Sequence, residues 1–243
     1  MDMEEGGGRP RLPDGVSIVA IGDVHGCLDK LEPVLGRIAR HAAASPERRH
    51  IVVSIGDLVD RGPNSAQVVA RMAEGVPGCE TVVLRGNHEA MMLDFLRGTE
   101  DAENWLHNGG LLTMASYGVD LQKIAEEGFD LDRLRRALIE RMPAHHVAFL
   151  ASLPLSFECG DYFFVHAGVR PGRALDAQVE EDLLWIRDEF LEWRGGFGKR
   201  IVHGHTPVEV ATFAPNRINL DTGACFGGPL TAVLIEGAGV TMF

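Results

Sequence analysis

Carboxylates, imidazoles, an amide and a guanidinium recur in this chain at the ends of short apolar runs. GDVHG (22–26) carries Asp23 and His25, and GDLVDRG (56–62) carries Asp57, Asp60 and Arg61. RGNHE (85–89) carries Asn87 and His88, HAG (166–168) carries His166, and HGH (203–205) carries His203 and His205. Side chains two apart on extended chain point to one side, so Asp23 and His25 can converge on a single cation. Asn87 offers a neutral oxygen ligand, and neighbouring His88 is able to transfer a proton. Each segment alone also has a plain structural explanation: a βα turn for GDVHG, a surface ion pair for GDLVDRG, a core histidine for His166, and local salt bridges for Arg85 and Glu89. Taken together they supply carboxylate, imidazole and amide ligands for two octahedral-type cations, a donor set that suits manganese, iron or zinc.

These residues need a scaffold that brings distant strand ends together. The run IVVSIGDLVDRG (51–62) is the centre of that scaffold: a β-branched apolar run that breaks at Gly56 and then exposes charge. Such a run bounded by Gly reads as a buried strand. Strands are also expected at 17–22, 81–84, 155–158 and 162–165. A helix is expected after Gly26, with Leu28, Leu31, Leu35 and Ile38 at helical spacing. Pro33 and Gly36 predict that it is kinked or starts late. A second helix is expected at 65–74 and a short third at 89–96. This alternation predicts an α/β layout with a largely parallel sheet. Residues 98–152 lack strand patterns and read as a helical insert over the strand ends. Acids at 180–182 favour a helix start, although LLWI also suits a strand. Beyond Gly195-Gly196, strands at 200–202, 208–213, 217–220, 230–235 and 240–243, joined by short turns, suggest an antiparallel second sheet. Residues 1–15 read as a flexible leader, and 16–243 as one catalytic domain.

Composition narrows the function. With 243 residues, 45% of them hydrophobic, a full core is attainable. No apolar stretch reaches the length of a membrane span, and no basic-then-apolar start marks a secretory signal. The four cysteines are widely spaced, which argues against a zinc knuckle or disulfide framework and suits a cytoplasmic setting. A formal net charge of −12 argues against nucleic-acid binding, and no membrane partner is expected. An anionic substrate still fits if cations sit locally in the site. A dinucleotide fold is disfavoured, because GDVHG lacks the G-x-G-x-x-G spacing.

GDVHG, GDLVDRG, RGNHE, HAG and GHTP, in that order, resemble the phosphoprotein phosphatases, binuclear metallophosphoesterases of the calcineurin-like group. WLHNGG (105–110), LLWIRDE (183–189) and DTGACFGG (221–228) extend the resemblance to the compact bacterial and phage branch typified by lambda phage phosphatase. It implies a metallophosphoesterase four-layer α/β fold, a central β-sandwich flanked by helices. It implies that Asp23 and His25 hold a first metal, that Asp57 bridges, and that Asn87, His166 and His205 hold the second. The family ligand is the His of GHT, so His205 rather than His203 is expected to ligate. His88 would be the general acid, oriented by Asp60, and Arg61 and Arg187 would grip the phosphate, with Asn87 and His88 also facing substrate. The implied reaction is direct in-line attack of a metal-activated hydroxide on a phosphomonoester, with phosphoserine and phosphothreonine in proteins as the expected substrates. Manganese is the first expectation for the two divalent ions, with iron and zinc as alternatives. The same scaffold also serves symmetrical dinucleoside tetraphosphatases. A non-catalytic metal-binding regulatory protein is the remaining alternative, disfavoured because every expected ligand is present.

Overall fold

The computed structural model describes residues 9–99, 102–126, 128 and 130–243. Strand β1 (Val16–Ile21) leads into helix α1 (Leu28–Ala44), β2 (Arg49–Ser54) into α2 (Ser65–Glu74), and β3 (Glu80–Val83) into α3 (Asn87–Arg97). Helices then follow without a strand: α4 (Ala102–Trp105), a π turn (Leu106–Gly110), α5 (Leu111–Ser116), α6 (Leu121–Glu126), α7 (Leu131–Arg141) and α8 (Ala144–Ser152). This is the expected helical insert, with residues 100, 101, 127 and 129 outside the described set. Strands β4 (Ser156–Cys159) and β5 (Tyr162–Val165) precede α9 (Glu180–Trp185) and α10 (Asp188–Leu191). The chain ends with β6 (Arg200–His203), β7 (Thr212–Phe213), β8 (Arg217–Asn219), β9 (Ala232–Glu236) and β10 (Gly239–Met242).

Two five-stranded sheets result, ordered β10-β9-β1-β2-β3 and β4-β5-β6-β8-β7. Alternation along each strand builds four layers from them. Ile18, Ala20, Ile51 and Val53 of the first sheet meet Tyr162, Phe164, Val202 and Ile218 of the second in the sandwich core. Val19, Ile21 and Val52 face the other way, onto Leu31, Leu35 and Ile38 of α1, Val68 and Val69 of α2, and the insert. On the far side, Phe163, Val165 and Ile201 pack against Leu183, Ile186 and Phe190. The four-layer α/β expectation therefore holds.

Several details differ from expectation. The second sheet is mixed, since β5 pairs parallel with β6, and β6 parallel with β8. Interior strands apolar on both faces are the mark of parallel pairing, and buried Ile201 and Val202 already carried that mark. β9 and β10 join the first sheet instead, with β9 antiparallel to β1 through Ile18 opposite Ile235. The strand expected at 208–213 shrinks to Thr212–Phe213. α1 starts at Leu28 and runs through Pro33, because Leu31, Val34, Leu35, Ile38 and Ala42 bury one continuous face. Leu183–Trp185 of LLWI form the end of α9, and Ile186 caps it.

The expected leader differs in its second half. Residues 1–8 lie outside the described residues, but Leu12 is fully buried in the sandwich core. Its N–H donates to Gly237 O at 2.9 Å, and the Arg11 N–H donates to Asp161 Oδ2 at 2.9 Å. No helix among the described residues is long and apolar enough to cross a membrane. Leu12→Ala is expected to cost about 2–5 kcal/mol of stability in urea unfolding, the range for a buried Leu deletion. A loss below about 1 kcal/mol would show that this segment contributes no core packing.

Candidate metal centre and active site

The sandwich sets the carboxyl ends of β1, β2, β3, β5 and β6 side by side, and the polar residues follow each strand. Asp23, His25, Asp57, Asp60, Asn87, His88, His166 and His205 are all buried. Two sets of side chains place one ligand atom each within 4.8 Å of one another: His25, Asp57 and His88, and Asp57, His166 and His205. Asp57 belongs to both. Asn87 Oδ1 lies 2.8 Å from His166 Nε2 and 3.1 Å from His205 Nδ1. Asp23 falls outside both sets but adjoins them, its Oδ2 accepting the His205 N–H at 3.0 Å.

The hydrogen bonds fix which imidazole atoms face inward. His25 Nδ1 lies 2.8 Å from Val59 O, and His166 Nδ1 lies 2.9 Å from Ile55 O. A carbonyl only accepts, so each Nδ1 carries the proton and each Nε2 presents a lone pair. Those atoms face Asp57 Oδ2 at 3.3 Å and Asp57 Oδ1 at 3.5 Å respectively. Burial pushes His25 well down and His166 down to about 4, which keeps both rings neutral. At His166, acceptor therefore faces acceptor across a space that a cation satisfies, whereas the His25 Nε2 lone pair also takes an N–H of Arg61. Asp23 Oδ1 and His205 Nε2 are buried without any hydrogen-bond partner, and burial takes His205 down to about 2. The residues present thus fit divalent metal, with oxygen and imidazole donors in the combination that first-row metals accept.

Backbone geometry marks the same place. The non-glycine residues at positive φ among those described are His25, Asp57, Asp60, Arg61 and His205, every one of them an expected site residue. Such conformations cost energy for residues bearing a Cβ, and they persist only where the surroundings enforce them. Glu89 is one enforcer. Its buried carboxylate accepts N–H groups from Asp57 (2.9 Å), Leu58 (2.7 Å), Val59 (3.2 Å) and Gly86 (2.8 Å), tying the β2 loop to the start of α3. Glu89 is structural, as expected, but through backbone amides rather than a salt bridge.

His88 Nδ1 lies 2.7 Å from Asp60 Oδ2, while its Nε2 faces Asp57 Oδ2 at 3.9 Å. Burial lowers His88 to about 4, and burial raises Asp60 to about 8 against the opposing pull of Thr113 and Trp105. Arg61 reaches inward, with Nη1 donating to His25 Nε2 at 2.7 Å, and its guanidinium also lies 5.5 Å over the exposed Phe226 ring. Arg187 lies exposed between α9 and α10, and its charge adds in smaller part to the burial that lowers His166 and His205. His203 stands apart from both ligand sets: it packs edge-on against Phe190 at 4.8 Å, and burial lowers it to about 3.

The sequence reading left Asp221, Trp105 and Thr113 without roles. Asp221 is buried beside Asp23, and the Asp23 carboxyl is raised by burial first, then by the charges of Asp221 and Asp57. The usable signal was that Asp221 opens DTGACFGG just after an apolar strand, as the other site acids do. Trp105 opens WLHNGG, a motif whose resemblance assigned it no role, and Thr113 carries no comparable signal.

A model of the calcineurin-like phosphoesterase family matches residues 16–234. The chain belongs to that family and is a metallophosphoesterase hydrolase. It is 31% identical over 227 residues to serine/threonine-protein phosphatase 1 of Salmonella typhimurium, covering 89% of this chain and 90% of that protein. It is also 28% identical over 234 residues to the asymmetrical bis(5'-nucleosyl)-tetraphosphatase PrpE of Halalkalibacterium halodurans, covering 88% and 87%. Among solved structures, a candidate diadenosine tetraphosphatase aligns with a TM-score of 0.62 at 23% identity, over 93% of this chain and 92% of that one. The cold-active protein-tyrosine phosphatase of a Shewanella species aligns with a TM-score of 0.56 at 16% identity, over 96% and 83%. Both structural likenesses concern the fold.

Glu89→Gln turns an amide N–H₂ toward two backbone donors. It is expected to destabilise the fold by about 1–3 kcal/mol, measured by denaturant unfolding. Unchanged stability would mean that the four amides do not depend on the carboxylate.

Proposed function

We propose that this protein hydrolyses phosphoserine and phosphothreonine esters in proteins, using two divalent cations, manganese first, held within a single catalytic domain. The observation that carries phosphoester hydrolysis is the His88–Asp60 pair beside two ligand sets that share Asp57, and the likeness to serine/threonine-protein phosphatase 1 favours protein phosphoesters. Asp23, His25 and Asp57 would hold one cation, and Asp57, Asn87, His166 and His205 the other. When bound, two such ions would supply hydroxide near neutral pH and neutralise phosphoryl oxygens.

The protein's own groups account for the remaining chemistry. With a proton on each ring nitrogen of His88, a form that burial opposes and the Asp57 charge favours, the Asp60 carboxylate would hold Nδ1–H and leave Nε2–H to give its proton to the leaving oxygen. Arg61 already points among the ligands, and its fork suits two phosphoryl oxygens. Arg187 is exposed at the rim, and its field reaches His166 and His205, which supports a second phosphate clamp. No nucleophilic Ser or Cys is needed, because the attack is direct. The four cysteines are free, in keeping with a reducing cytoplasmic setting.

A second reading, hydrolysis of a dinucleoside tetraphosphate, is favoured by the likeness to PrpE over most of both chains. That relative is named asymmetrical, so the products to look for include unequal nucleotides as well as the symmetrical pair. Rates on a phosphoserine peptide and on diadenosine tetraphosphate, measured side by side with manganese, separate the readings. A clear preference for the peptide is expected, and a preference for the dinucleotide would replace it. If the metal-loaded protein fails on p-nitrophenyl phosphate, the non-catalytic alternative gains.

His88→Asn is expected to keep its metal and slow peptide turnover by about 10²–10⁴-fold, the usual worth of a positioned acid. A near-normal rate on a poor leaving group would remove His88 from that role. Arg187→Ala is expected to weaken inhibition by inorganic phosphate, and unchanged inhibition would remove Arg187 from the phosphate site.

A further inference from the structure

WLHNGG (105–110) belongs to the helical insert, yet it lies against the residues that handle the proton. The Trp105 indole is fully buried, and its Nε1–H points at both oxygens of Asp60, at 3.0 Å from Oδ1 and 2.9 Å from Oδ2. Thr113, on α5, donates its hydroxyl to Asp60 Oδ1 at 2.6 Å and accepts the Asp60 N–H at 2.8 Å. Ser65 Oγ takes the same N–H at 3.0 Å. Asp60 therefore has its backbone and both carboxylate oxygens held by groups from α2, the insert and α3.

The glycine pair explains how the indole reaches that position. The chain leaves α4 in a π turn, and Gly109 within it sits at φ 109°, a conformation that costs any residue with a Cβ. A Cβ on Gly109 would lie 2.8 Å from the Arg61 backbone nitrogen. A Cβ on Gly110 would lie 2.6 Å from Trp105 Cδ2. Gly109 thus lets the insert close onto the backbone of Arg61, and Gly110 lets the indole fold beneath it. The segment that receives this support, Asp60-Arg61, has two consecutive non-glycine residues at positive φ.

We propose that Trp105 and Thr113 are positioning residues for proton delivery: acting through Asp60, they fix the ring of His88 so that its Nε2 faces the leaving oxygen. The insert is then part of the machinery for expelling alcohols and more than a cover over the site. This inference rests on His88 being the general acid. A carboxylate held by three donors keeps one orientation, whereas one that lost the indole could rotate and take the imidazole with it. The Trp105 indole N–H bonds Asp60, which lies outside both ligand sets, so its effect should appear where proton delivery limits the rate and nowhere else.

The test compares Trp105→Phe, which keeps an aromatic ring and removes the N–H donor, with wild type on two substrates. One is p-nitrophenyl phosphate, whose leaving group departs without a proton, and the other is a phosphoserine peptide, whose leaving group needs one. Thr113→Val provides an independent variant if Trp105→Phe folds poorly. Metal content is read by atomic spectroscopy, and both changes are repeated in His88→Asn. The expected result is a fall of about tenfold in kcat on the peptide, of the size seen when supporting partners of site residues are removed. KM, metal content and kcat on p-nitrophenyl phosphate should stay near wild type, with no further loss in the His88→Asn background. Equal losses on both substrates, or losses that add to that of His88→Asn, would overturn the positioning role. If His88→Asn discriminates between the substrates but Trp105→Phe and Thr113→Val do not, this inference fails and the proposed acid stands. If His88→Asn itself does not discriminate, both fail together.

Discussion

Asp57 is 1% exposed, and the imidazoles of His25 and His166 turn lone pairs, not protons, toward its two oxygens. Buried negative charge facing buried acceptors is unfavourable unless something positive lies between them. Asp23 and Asp221 add to the same burden, since their charges oppose one another and Asp57 in the same enclosed volume. The rest of the structure holds this arrangement in place. It has the sign that a pair of divalent cations answers, and Arg61 supplies a further positive charge at its edge.

Holding that arrangement requires a rigid support, because five site residues sit in backbone conformations that a free chain avoids. Three kinds of contact provide it. The parallel strands fix where each loop begins, the Glu89 carboxylate gathers four loop amides, and the insert clamps Asp60 through Trp105 and Thr113. Each comes from a part of the chain distant from Asp57. The strained loops therefore depend on complete folding of the sandwich and of the helices above it.

The site was legible in the sequence to the extent that its residues follow apolar strands. Asp23, His25, Asp57, Asn87, His166 and His205 each stand just beyond such a run, and burial of the run forces the polar residue to the sheet edge. Choosing His205 over His203 required family resemblance, since both share one short motif; packing separates them, with His203 turned onto Phe190. The contacts of Trp105 and Thr113 were not legible, because a helical pattern reports which face is buried and not which carboxylate the face covers. The pairing of β9 with β1 was hidden for a related reason. Local turns suggest hairpins, while the partner of β9 lies more than two hundred residues earlier and is chosen by the unfilled edge of the first sheet. Leu12 was missed because an acidic, glycine-rich beginning concealed one apolar side chain that fills the sandwich.

The central claim is that Asp57 lies between two cations. Crystals grown with manganese, with data collected at its absorption edge, would locate the ions directly through their anomalous scattering. The expected result is two peaks about 3.5–4 Å apart, with an Asp57 oxygen on each or one oxygen shared between them. Asp23 and His25 should lie on one side, and Asn87, His166 and His205 on the other. A single peak, or a pair with Asp57 bound to neither, would contradict the claim.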